Sequence, residues 1–119
     1  MSGFELCRAT DVPARGISQG IEVRVLREPT DQFPSQIVEV SLAPGAVWDG
    51  VDEHTDAHEI VRVVSGVLSD ENGDHRPGTV IVGHRGSRHT PRSAEGCVLF
   101  VVYPYTEQWL SRQTRLAAA

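Results

Sequence analysis

The sequence predicts an all-β fold, a single domain built as a sandwich or barrel, on three observations. Apolar residues alternate with polar ones through Ile21-Glu22-Val23-Arg24-Val25 and again at Val38, Val40 and Leu42, the period-2 pattern of half-buried strands. The remaining apolar runs are β-branched or aromatic and too short for core helices. Turn formers separate them at short intervals. A chain of 119 residues can bury one core without staples, because chains of about 100 to 150 residues hide roughly two-thirds of their unfolded surface.

In chain order, residues 1–18, with Pro13 and Gly16, read as an N-terminal lead or an edge strand, and residues 19–105 as the barrel. The two alternating strands come first. Ala43-Pro44-Gly45 then turns the chain into an acidic stretch, Asp52-Glu53-His54-Thr55-Asp56-Ala57-His58-Glu59, which leads into the strand Ile60-Val61-Arg62-Val63-Val64. Asp70-Glu71-Asn72-Gly73-Asp74 suits a tight hairpin, and Arg76-Pro77-Gly78 a second turn before the strand Thr79-Val80-Ile81-Val82. The last strand is Val98-Leu99-Phe100-Val101-Val102-Tyr103. Residues 106–119 turn helix-friendly, with Trp109, Leu110 and Leu116 as apolar residues, and predict a short packed helix or a tail.

Composition removes several function classes. All 11 basic residues are Arg, so a lysine Schiff base and a P-loop lysine are excluded. A formal charge of -5 argues against nucleic acid, whose binding needs clustered cations. No apolar run approaches the roughly 18 residues of a membrane span. Cys7 and Cys97 form no CxxC and are expected as free thiols. The N-terminus carries no secretory signal, so a cytoplasmic protein is expected. No GxSxG supports a serine hydrolase.

The five histidines at 54, 58, 75, 84 and 89 are the residues that combine metal affinity with acid/base capacity near neutral pH. His54 and His58 lie just before one strand, and His89 just after another. Strand mouths of a barrel can converge on one point, the geometry needed to hold an ion with imidazole nitrogens and a carboxylate.

Their spacing resembles the cupins, whose first motif runs Gly, five residues, His-x-His, three or four residues, Glu, six residues, Gly. The second motif runs Gly, five residues, Pro-x-Gly, two residues, His, three residues, Asn. Here the second motif is nearly complete: Gly78, five residues, His84-Arg85-Gly86, two residues, His89, with Ser93 in place of Asn. The first reads Gly45, six residues, Asp52-x-His54, four residues, Glu59, six residues, Gly66. The segments Ser69 to Asp74, Gly86 to Pro91 and Glu95-Gly96-Cys97 are similar to the cupin domain of ChrR-type anti-sigma regulators and their stand-alone relatives. The resemblance covers residues 35–103 and implies a double-stranded β-helix, or jelly-roll barrel.

It also implies one divalent metal held by His54, Glu59 and His89. With the longer gap in the first motif, His54 takes the second-histidine position and Asp52 replaces the first. With the shorter gap His54 is first and Asp56 second. His58 is a further alternative for the fourth ligand. Carboxylate-rich ligation favours Fe, Zn or Mn over soft Cu(I), with Ni also admitted, and a barrel that has lost its metal is the other reading of the broken His-x-His.

The other residues have simpler readings. His75 is expected at the surface, His84 in a turn, and Cys97 as a buried small hydrophobe. Gly66, Gly78 and Gly86 are expected in turns, where positive φ or a close backbone approach requires glycine. Arg88 can bind a carboxylate bidentately, yet strand parity sets it opposite His89. Tyr103 shares the parity of Leu99 and Val101, directing it inward. Those two are the catalytic candidates.

Among the resemblance's relatives are diketone-cleaving dioxygenases and the sensor domain of anti-sigma factors. A full anti-sigma factor needs an N-terminal zinc-binding unit with no counterpart in this pattern. The expectation is therefore a metal-dependent oxygenase or lyase/isomerase acting on a small oxygenated metabolite such as a diketone or hydroxy acid, or else a non-catalytic sensing or binding module. The resemblance also implies a homodimer, since cupins commonly pair through outer sheet faces, and Ile60 and Val64, on the parity opposite Glu59, would need such a cover.

Overall fold

The computed structural model describes residues 3–50, 52–53 and 57–104, with residues 52 and 53 through their backbone alone. The possible helix or tail at 106–119, and with it Trp109, Leu110 and Leu116, lies outside the described residues, as do His54 and Asp56. Apart from a short 3-10 turn at Ala9–Asp11, the regular elements described are strands.

Twelve strands follow in order: β1 (Arg15–Ser18), β2 (Ile21–Arg27), β3 (Ser35–Leu42), β4 (Ala46–Val47), β5 (Asp52–Glu53), β6 (Glu59–Gly66), β7 (Leu68–Asp70), β8 (Gly73–His75), β9 (Val80–Gly83), β10 (Arg88–His89), β11 (Arg92–Ser93) and β12 (Cys97–Pro104). They form a six-stranded sheet ordered β1-β2-β3-β12-β6-β9, a four-stranded sheet ordered β4-β11-β7-β8, and the pair β10-β5. Every pairing is antiparallel, the pattern of a jelly roll.

The alternation read from the sequence decides which way each strand faces. Along β6 burial alternates strictly from Glu59 to Val64, with Val61 and Val63 inside, and along β12 Cys97, Leu99 and Val101 point inward. Val38, Val40 and Leu42 of β3 join them. The smaller sheet closes this core with Ala46 and Leu68. Ser93, where the cupin pattern has Asn, is fully buried and donates its hydroxyl proton to the Val67 carbonyl oxygen at 2.5 Å, so a short polar side chain bridges the return from β6 into β7.

Before β2 the chain passes the 3-10 turn and forms β1, which pairs with β2 at the edge of the six-stranded sheet. Arg24 of β2 donates from Nε to the Val12 carbonyl at 2.9 Å, and Arg27 meets Glu5 at 3.0 Å. Cys7 is exposed and Cys97 buried, both free thiols, and burial pushes the Cys97 thiol up. Among the described residues no helix is long and apolar enough to cross a membrane.

Candidate metal centre

Glu59 opens β6 on its inward parity, and at 6% exposure its carboxylate is held inside the fold. Such a group needs partners. Tyr103, inward on the neighbouring strand β12, donates its hydroxyl proton to Glu59 Oε2 at 3.0 Å. The other oxygen, Oε1, lies 3.7 Å from Nε2 of His89, too long for a hydrogen bond.

His89 ends the short strand β10, and its ring is fixed from behind. Nδ1 donates to Asp70 Oδ2 at 3.2 Å. An imidazole whose Nδ1 carries the proton presents a lone pair at Nε2, here toward Glu59. Asp70 is itself clamped: its Oδ1 accepts from His75 Nε2 and from the Asn72 backbone N–H, both at 2.9 Å. Burial pushes the Asp70 carboxyl up, but the bonds from His75, the Asn72 N–H and His89 outweigh it and hold the group below its ordinary range. Next to it, Glu71 Oε1 accepts from the Thr90 backbone N–H at 2.9 Å and the Thr90 hydroxyl at 2.8 Å, so consecutive turn carboxylates grip consecutive residues, His89 and Thr90.

His75, expected at the surface, instead has a side chain only 16% exposed and is bonded to Asp70. The hairpin between β7 and β8 folds it back: Leu68 pairs with His75 and Asp70 with Gly73. Sequence reasoning missed Asp70 as part of the site. The signal available for it was the Ser69 to Asp74 segment that carried the narrower resemblance, since turn-forming composition alone assigns Asp70 to a loop.

The other candidates fall differently. The Asp52 backbone pairs with His89 across the β5–β10 ladder, and Glu53 with Arg88. His58 Nδ1 accepts the Arg85 backbone N–H at 2.8 Å, and its ring stands edge-on to His84 with centroids 5.7 Å apart. Among the described residues it is not part of the lining of the cavities of about 200 Å³ and 130 Å³ that Glu59 and His89 border. His84 caps a turn, with the Ser87 N–H donating to its carbonyl at 2.8 Å. Arg88 is exposed and borders the smaller cavity, of about 130 Å³.

The larger cavity, of about 200 Å³, occupies the space between the sheets. Its wall is mostly apolar, with Val25, Val38, Leu68, Val101 and Trp48 among the lining, and Glu59, His89, Tyr103, Gln36 and Arg15 as the polar groups.

Among the described residues no group of three or more His, Cys, Asp or Glu side chains is placed to hold a metal ion. Two donors do converge. Two bonds of about 2.1 Å at a tetrahedral angle separate their donor atoms by about 3.4 Å, close to the observed Glu59–His89 spacing. The Asp70 acceptor behind His89 is the outer partner that metal-bound imidazoles carry. The donor set present thus fits one ion that needs further ligands from elsewhere.

Comparison with known proteins supports this architecture. Over residues 3–106 the chain matches the family model of the ChrR cupin-like domain. Among solved structures, KdgF from Halomonas sp. aligns over 89% of this chain and 98% of its own at 20% identity and a TM-score of 0.71. The complex of Rhodobacter sphaeroides SigE with the anti-sigma ChrR aligns over 81% of this chain and 51% of that chain at 18% identity and a TM-score of 0.68. The polyketide cyclase RemF from Streptomyces resistomycificus aligns over 86% and 80% at 18% identity and a TM-score of 0.69. No curated protein matches significantly. At these identities the structural likeness shows the fold, whereas the family match spans nearly the whole chain: it belongs to the ChrR cupin-like domain family.

Proposed function

We propose that this chain is a metal-dependent cupin enzyme, an oxygenase or a lyase/isomerase, acting on a small oxygenated metabolite such as a diketone or hydroxy acid. The observation that carries the reading is the pair Glu59 Oε1 and His89 Nε2, 3.7 Å apart on the wall of an apolar cavity, with the far nitrogen of His89 taken by Asp70. In this reading His89 and Glu59 hold a divalent ion, Fe, Zn, Mn or Ni, together with His54 and with Asp52 or, in the alternative alignment, Asp56. Such an ion polarises bound oxygen groups and stabilises negative charge developing on them. Tyr103 keeps Glu59 turned so that one oxygen faces His89, and the apolar wall excludes water from the reacting end. In the same reading the protein works in the cytoplasm and pairs as a homodimer.

Elemental analysis of untagged, chelator-free protein tests this. Near-stoichiometric metal is expected, and His89→Ala should weaken its binding by more than the 10–100-fold that loss of an outer partner costs (about that range). Stoichiometric metal retained in His89→Ala would overturn the ligand assignment.

A second reading is favoured by the family match itself: a non-catalytic module that senses or binds a small ligand, as a relative of the ChrR cupin domain. Oxygen uptake with small diketones, together with bound iron, manganese or nickel, separates the enzyme from the sensor. Tightly held zinc with no turnover supports the sensor.

A further inference from the structure

The polar groups of the large cavity sit at two ends of an apolar wall. Register sorts the inward-facing residues of the six-stranded sheet into rows. One row holds Gln36 opposite Tyr103, with Glu59 bonded to Tyr103. The next row, Val25, Val38, Val101 and Val61, is apolar throughout. The third runs Arg15, Val23, Val40, Leu99 and Val63. Arg15 therefore stands four residues of strand, about 13 Å, from the Glu59 row and on the same face of the sheet.

Arg15 lines the cavity and makes no hydrogen bond or ion pair among the described residues. Among the described residues it is the one guanidinium on that wall. Arg15 is exposed at the mouth of this cavity, and the group that best matches its planar fork of donors is a bidentate carboxylate. Along the lining Arg15 is the guanidinium available among the described residues, so it is the group matched to a ligand carboxylate.

We propose that the ligand of this cavity is a small carboxylate with an apolar body, its carboxylate paired with Arg15 and its other end directed at Glu59 and His89. For that second end the inference rests on the metal-centre reading, and it selects a hydroxy acid over a neutral diketone. Size agrees. The cavity of about 200 Å³ exceeds the roughly 150 Å³ void that takes up benzene in another protein, which leaves room for a benzene-sized body and one polar group.

Benzoate and benzamide, alike in shape and different in charge, test this by calorimetric titration of the full chain as purified and after chelation. In both preparations the wild type is expected to bind benzoate about tenfold more tightly than benzamide. Arg15→Gln should bring the ratio to about one with benzamide affinity unchanged, and Arg15→Lys should keep part of the preference. A preference that survives Arg15→Gln, or wild-type protein that binds neither compound, overturns the proposal, and Arg15 is then an inward charge guarding the edge strand β1. Metal content is read separately. Loss of the metal assignment with an Arg15-dependent preference intact leaves a carboxylate-binding barrel, whereas stoichiometric metal without that preference removes this inference alone.

Discussion

A carboxylate whose side chain is 1% exposed persists in a core only when its lone pairs are taken, and Asp70 accepts from three donors: His75, His89 and the Asn72 N–H. Asp70→Asn keeps the shape and removes the charge that fixes both rings. Metal affinity should fall about 10–100-fold, the usual cost of losing an outer partner. In the metal-free protein, ¹⁵N spectra should show the proton of His89 no longer confined to Nδ1. Wild-type affinity and an unchanged tautomer would show that Asp70 does not position His89. The pH dependence has a definite sign. A carboxyl held below its ordinary range stabilises the fold fully above that range and loses the contribution as pH falls through its folded value, so Asp70→Asn should flatten the acid limb of the stability curve. Glu59 and His89 were legible because cupin spacing places both. Asp70 and His75 were not, because their meeting depends on how the β7–β8 hairpin folds back, and residues beside them in sequence are polar in any case.

At the scale of elements, the long strands could be read and the short ones could not. β2, β3, β6 and β12 run seven or eight residues, enough for the alternation to repeat. β4, β5, β10 and β11 have two residues each, and no period can be seen in two. Yet these short strands carry His89 and build much of the smaller sheet. The glycine corners between strands were legible, though not for what each does. Gly66 and Gly78 both adopt positive φ, +73° and +91°. A Cβ on Gly78 would meet open space, whereas one on Gly66 would overlap the Gly96 carbonyl oxygen. Gly78→Ala should therefore cost only the left-handed backbone penalty, about 1–2 kcal/mol, and Gly66→Ala at least about 2 kcal/mol more, because main chain must move. Urea denaturation measures both, and equal costs would show that the close approach at Gly66 is not what requires glycine there.

For the whole molecule, the outward face of the six-stranded sheet is the counterpart of the alternation that builds the core. The parity that sends Glu59, Val61 and Val63 inward sends Ile60 and Val64 outward, at 38% and 54% exposure. The register places Val82 beside Ile60 and Phe100 beside Arg62, so Val80, Val82 and Phe100 extend the same outward face over three adjacent strands. Contiguous apolar patches of this kind on small proteins are interaction surfaces more often than accidents. An isologous dimer covers such a face with itself, since each strand meets its symmetry mate and no new chemistry is required. Sedimentation velocity should find the wild type at twice the mass of one chain. Val64→Arg puts like charges against each other across the two-fold and should give a monomer with its metal content unchanged, because Val64 points away from Glu59 and His89. A wild type that sediments as a monomer removes the dimer and leaves the patch to other cover.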